Sequence, residues 1–470
     1  MTALMDERAN IVDSVDIPVS VFTPEYGCVE HDPGELADSI REGAKQLMRR
    51  HPDKLEGLMG VAVANQGESF LLWDKRTKRP VTPVISWQDS RCAELTGALQ
   101  TEGGMDSWFN KKTGLHLSNE WPAMKLRYMR DKDRALDALI SSGCIMYGQL
   151  DAWFLYVLTD GAHHASDHST ACRSGFYNID TMAWDDELLR FFNAQELVFP
   201  ALVDNDARFE GVDIGVGKKL PWLAGGLDQS MALLGQGCTA PGSVKLTYGT
   251  CCSLWMNSGE RLIPDDKLTS SVAWRANGST IYGLAAEGGG CGSIITWLLR
   301  EYKPEWDVSE LSKIALDNDD QPGLMFVPAF NGIGAPYWEE RAKGTMFGMT
   351  AGTRPEHILR AGLDAIAYTV RDMLDAMPPS GDIVVDGGMT ANCYLMQKQA
   401  DVLIRPLIKS GNREGTITGV GMLALHALGV DCGASHRGDS TVYPDIEKAG
   451  AGYAMWQKAV EASIAYYKNF

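Results

Sequence analysis

No block of lysines and arginines interrupts this chain of 470 residues, and acidic side chains outnumber basic ones 61 to 43, leaving a formal charge of −18 at pH 7. Nucleic acids and anionic membranes attract proteins through a local positive field. Neither is expected as a partner, and small molecules are. Also absent is any uninterrupted apolar run near the roughly 18 residues that a membrane helix requires. The N-terminal residues MTALMDERANIVDS carry charge where a secretory signal would be apolar, so a cytoplasmic protein is expected. The ten cysteines include no CxxC and no Cys/His group at metal-ligand spacing, and free thiols are the expectation. There is no internal repeat with a period of about 20 to 50 residues, and the glycines gather at turns instead of forming a low-complexity tract.

What is present suffices for large cores: 45% of residues are hydrophobic and 9% aromatic, which excludes a disordered or fibrous chain. At about 150 residues per domain the length asks for two or three domains. Strand and helix patterns alternate, the mark of an α/β protein. His31-Asp32-Pro33 reads as a cap and first turn, followed by Leu36, Ile40, Ala44 and Leu47 at helical spacing. The run 58–64 is short, apolar and β-prone, and 70–73 is expected to pair with it across a polar turn. Helices are also expected where Leu150, Trp153, Phe154, Val157 and Leu158 share a face closed by Gly161, and where Leu359, Leu363, Ile366, Val370 and Leu374 do. A strand over 381–386 leads through Gly387-Gly388 into a helix, and the last helix buries Trp456, Val460 and Ile464. No composition break marks a boundary, so the division is placed from the motifs, at 1–235 and 236–470.

Glycine-rich turns that open helices present backbone N–H groups and a helix dipole to anions. Three candidates lie in the second half: 387–392, 287–292 leading into the helix with Ile295, and the hairpin tip 246–250. Singly each is more often an ordinary turn; together they point to a nucleotide. Asp228 stands at the exit of an apolar strand, after Gly225 and Gly226, where a carboxylate can take a proton from a hydroxyl. From this segment alone a helix cap is the simpler reading. The groups 65–69 (NQGES) and 87–91 (WQDSR) put amides, carboxylates and an indole at strand ends. That mixture suits a polyhydroxylated ligand, and equally a polar turn with a satisfied Asp–Arg pair.

At these residues the sequence resembles the FGGY carbohydrate kinases, nearest to the glycerol kinases among them. Residues 27–33 are similar to the family's GWVEHDP, 65–69 to NQRE[ST], 85–91 to WQ-x-RR, and 147–153 to GT-x-D-x-W. Further on, 226–236 resembles the motif GDQQAALFGQ, 247–250 TYGTG, 335–338 GAPYWD, 344–364 the second family signature with a deviation at Gly362, and 386–392 DGG-x-x-x-N. The resemblance implies two ribonuclease-H-like domains of the actin/Hsp70/hexokinase type, closing on a cleft between them. It implies ATP on the C-terminal domain, at Thr250, Cys251, Ile295, Gly387, Gly388 and Asn392, and a polyol or sugar at Gly67, Glu68, Trp87, Glu120, Asp228, Gln229 and Ser253. Asp228 would be the general base and a ligand of Mg²⁺, and the assembly a homodimer or homotetramer. An actin- or Hsp70-like ATPase acting on proteins fits poorly, because 65–69 and 87–91 suit small polar ligands.

Three departures shape the expectations. Gly67, Glu120 and Ser253 stand where the family has arginine, tyrosine and phenylalanine, so a larger, more polar pocket is expected, which would favour a longer polyol or a ketose over glycerol. Cys251 replaces a glycine and adds a side chain where a phosphate should pass. The family's opening motif, D-x-G-T-[ST]-x-x-[KR], would fall at or before Met1, while 2–7 resembles the strand that follows it. A start placed too late, or a non-catalytic relative that transfers phosphate poorly and is less stable for its missing strand, is the corresponding expectation.

Overall fold

The computed structural model describes residues 1–318, 320–330, 332–339, 341–377, 379–430, 440–448, 450 and 452–468. In the second half a seven-stranded sheet runs in the order Thr269–Ala276, Ser279–Gly290, Cys251–Gly259, Val244–Tyr248, Ile383–Asp386, Leu407–Lys409, Ser440–Val442. The first four are antiparallel and form two hairpins joined through Ser279–Gly290 and Cys251–Gly259, and Val244–Tyr248, Ile383–Asp386 and Leu407–Lys409 are parallel. Alternation along Val244–Tyr248 shows why the sheet is covered on both faces. Val244, Leu246 and Tyr248 join Ile383 and Val385 in the large core beneath the helix Pro355–Ala376. Trp255 and Val384 face the other way and pack with Leu233 and Val420, from the helices Asp228–Gly235 and Gly415–Ala427.

The first half is built around two sheets. Val61–Asn65 lies parallel to Leu220–Leu227, which also pairs with Phe209–Val212. Phe70–Asp74 belongs to the other sheet, beside Val84–Ile85, Arg79–Pro80 and Ile145–Gln149. The expected pairing of 70–73 with 58–64 is therefore corrected. All five residues of Phe70–Asp74 are buried, with Phe70 and Leu72 in one core and Leu71 and Trp73 in another. A strand that is apolar on both faces goes where both faces can be covered. Thr2–Met5 pairs with Ile11–Val15 as a hairpin.

The helical expectations hold. Pro33–Arg50 starts at Asp32, whose side chain accepts from the Glu35 N–H, and it buries Leu36, Ala44 and Leu47. Leu150–Leu158 ends before Gly161, at φ +79°. Ile383–Asp386 leads through Gly387, at φ +94°, into Cys393–Leu403. Tyr453–Lys468 closes the chain over Trp456 and Val460. No disulfide joins the described cysteines, and none of the described helices is long and apolar enough to cross a membrane.

Candidate active site

Leu220–Leu227 and Val61–Asn65 end side by side, with Leu227 opposite Asn65. Asp228 is the first residue of the helix Asp228–Gly235 and Leu227 is its cap residue, which makes no side-chain capping bond. The helix-cap reading of Asp228 is thus set aside. A buried polar knot fixes the strand end. Ser169 accepts from the Leu227 N–H at 3.0 Å, Asn205 bridges Asp167 and the Gly225 carbonyl at 2.9 and 2.8 Å, and Asp167 accepts from the Thr170 N–H. The Asp228 carboxylate, half-buried, accepts from the Gln229 N–H at 2.7 Å, and Thr416 donates to its main-chain carbonyl. Lys245 Nζ donates to Gln229 Oε1 at 2.7 Å. A carboxylate at a helix N-terminus sits where the helix dipole favours negative charge.

Beside it, the turn 65–69 is largely bonded to itself and its supports. Ser69 donates to Gln66 Oε1 and accepts from the Trp87 N–H, and Gln149 Nε2 donates to the carbonyls of Gly67 and Thr170. Glu68 is the exception, since it reaches Arg173 Nε at 2.6 Å and keeps its side chain 15% exposed. Gly67 does not enlarge the pocket. A Cβ there would collide with Leu227 Cδ1 and meet Arg173 Cγ at 3.5 Å. Leu227 occupies the space that a side chain at 67 would need, and the expectation of a larger cavity at this position is corrected.

Trp87 keeps 43% of its surface exposed, yet its backbone is clamped. Lys125 Nζ, fully buried, donates to the carbonyls of Ser86, Trp87 and Glu120 at 2.7, 3.1 and 3.0 Å. One ammonium so joins the Trp87 loop to the Glu120 loop, and burial pushes it down to about 8. A fixed, exposed indole beside carboxylates can cover C–H groups while they bond hydroxyls. The rest of 87–91 follows the structural reading: buried Asp89 pairs with Arg91 at 2.8 Å, and Arg91 also reaches Glu30. Ser253 lies half-buried on Cys251–Gly259, opposite Thr247 and Glu287.

On the other side, the hairpin tip puts Thr250 and Cys251 at the surface. The N–H groups of Cys291, Gly292 and Ser293 donate to the carbonyls of Thr250, Gly249 and Thr250 at 2.9, 2.9 and 3.2 Å. The start of the helix Gly292–Tyr302 is consequently spent on holding the tip, which corrects the expectation that 287–292 offers these donors to phosphate. Ile295 is corrected too: at 2% exposure it belongs to the core beneath the tip and lines no open surface. Gly387 must be glycine, because a Cβ would strike the Tyr248 carbonyl, whereas Gly388 faces open space. Asn392, mostly buried, caps Cys393–Leu403 by accepting from the Leu395 N–H at 2.9 Å.

Among the described residues no three His, Cys, Asp or Glu side chains cluster as a metal cage. Single carboxylates remain, of which Asp228 is half-buried and Asp386 has one oxygen, Oδ1, buried without a hydrogen bond. Mg²⁺ is commonly held by one or two carboxylates and the substrate's own oxygens. Sequence reasoning missed Lys125, Leu227 and Arg173. A lone lysine inside the apolar stretch 121–126 was a usable signal for the first; Arg173, in a polar loop, gave none.

A profile described as "FGGY family of carbohydrate kinases, N-terminal domain" matches residues 1–235, and its C-terminal counterpart matches 244–428. Glycerol kinase 2 of Thermotoga maritima is 34% identical to this chain, over 99% of this chain and 97% of its own length. A solved structure of Plasmodium falciparum glycerol kinase with ADP superposes with a TM-score of 0.89 at 27% identity, covering 98% of this chain and 95% of that one. Gluconate kinase from Lactobacillus acidophilus, at 18% identity, shares the fold with a TM-score of 0.88 over 100% and 96% of the two chains. The architecture is the two-domain α/β fold of the actin/Hsp70/hexokinase type.

Proposed function

The chain belongs to the FGGY family of carbohydrate kinases, and we propose that it transfers the γ-phosphoryl group of ATP to a hydroxyl of a small polyol or sugar. The observation that carries this reading is Asp228 at the end of one strand and the start of a helix, beside the 65–69 turn that ends the neighbouring strand. Asp228 takes the hydroxyl proton as that oxygen attacks the γ-phosphorus and the bond to ADP breaks. Glu68 and Gln229 orient the acceptor, Trp87 covers its C–H face, and Glu120 and Ser253 border it. Thr250, Cys251, Gly387, Gly388 and Asn392 form the nucleotide side, with the domain division between 235 and 236. Mg²⁺ held by Asp228 and the phosphates would neutralise charge that develops in the transition state. The remaining acceleration comes from positioning two reactants in a closed site. The non-catalytic alternative is not favoured, since a relative named glycerol kinase aligns over 97% of its length.

The test is transfer of label from γ-labelled ATP to glycerol, erythritol, D-xylulose and D-gluconate. Labelling of at least one acceptor is expected. Hydrolysis of ATP with none of them labelled would contradict the reading.

A further inference from the structure

Arg173 follows the short helix His168–Ala171 and buries its guanidinium almost completely, at 4% exposure. A buried cation is costly unless paired and hydrogen-bonded, and its partners come from both halves of the chain. From the first half, Glu68 accepts from Nε at 2.6 Å and the Trp121 indole lies 4.6 Å beneath the guanidinium. From the second, Ser271 Oγ accepts from a terminal nitrogen at 3.2 Å and the Trp255 indole lies at 5.6 Å. Planar guanidinium groups suit such stacking, which an ammonium does not reproduce. The stem passes over Gly67, so a turn without a side chain at that position receives a guanidinium from elsewhere. Glu68 still has acceptor capacity after this bond, because a carboxylate offers about four lone-pair sites, and it remains partly exposed.

We propose that Arg173 is a positioning residue for acceptor binding: it aims the Glu68 carboxylate at the substrate and ties it to Ser271 and Trp255 of the C-terminal half. This rests on the proposed function, since Glu68 matters only if the site holds a hydroxylated acceptor. Arg173 acts through Glu68, so the two should not behave independently. Interactions lost equally from ground and transition states raise KM with little change in kcat.

The experiment compares wild type, R173Q, R173K, E68Q and R173Q/E68Q as full chains, with each member of the same panel. Turnover is measured together with acceptor binding by quenching of tryptophan fluorescence. Expected is a rise of about 10- to 100-fold in acceptor KM or Kd for R173Q, with kcat changed by less than about 3-fold and KM for ATP unchanged. R173K should regain melting temperature without regaining KM. R173Q/E68Q should be no more than about 3-fold weaker than E68Q. Multiplying losses in the double variant, or an unchanged acceptor KM in R173Q and R173K, would overturn the inference while leaving the kinase reading intact. Should R173Q fail to fold, R173K and R173K/E68Q supply the same cycle. A wild-type chain that binds no panel member overturns both.

Discussion

Gly67 and Leu227 fill one volume between them, and the consequence is measurable. Adding even a methyl at Gly67 pushes Leu227 into a core where it is 1% exposed. Overpacking of this sort costs about 1–3 kcal/mol, so Gly67→Ala should lower stability by that amount in chemical denaturation. Combined with Leu227→Ala it should cost less than the sum of the two single changes; strict additivity would show that the two side chains do not share the space. Lys125 allows a prediction in pH. Its folded value of about 8 lies below the ordinary 10.5, so between those values the unfolded chain holds a proton that the folded chain has released. Stability from this group accordingly rises with pH across that window and is penalised below it. The difference in melting temperature between wild type and Lys125→Met should shift in favour of wild type from about pH 8 to 10.5; a flat difference would contradict the assignment. Loss of the ammonium charge should also loosen the clamp on Trp87, seen as a rising acceptor KM above about pH 8.

Between elements, Asp228–Gly235 and Gly415–Ala427 approach each other closely. A Cβ on Gly235 would collide with the Gly415 carbonyl, and one on Gly419 with the Met231 carbonyl. Both obstacles are backbone and cannot swing aside. Gly419→Ala should therefore cost more than about 2 kcal/mol and, by shifting the helix that carries Asp228, lower kcat more than it raises KM for ATP. A fully active, equally stable variant would show that the contact tolerates separation. Gly419 did not stand out in the sequence, because close helix packing depends on which two helices meet, and local pattern does not say. Helices with local signals were legible: Asp32-Pro33 marked the start of one, and the period of Leu359, Leu363, Ile366 and Val370 marked the buried face of another. The partners of Phe70–Asp74 were not, since an apolar run records that a strand is covered and not by what. The proposed site was legible in Asp228 and Glu68, whose motifs are local. Arg173 and Lys125 join it only through contacts between loops distant in sequence.

At the scale of the molecule, the helix Asp228–Gly235 is packed against both the 220–227 strand of one half and the sheet and 415–427 helix of the other. The groups proposed to face the acceptor and the hairpin proposed to face the nucleotide would thus be joined through the element that begins with Asp228. The central claim is that Asp228 takes the acceptor's proton during phosphoryl transfer. Asp228→Asn keeps the shape and loses the base, so the most direct measurement is single-turnover transfer from ATP to the best panel acceptor in wild type and Asp228→Asn, with acceptor binding measured alongside. The account predicts a fall of about 10²- to 10⁴-fold in the transfer rate with binding changed little. Transfer at close to the wild-type rate in the variant would contradict it.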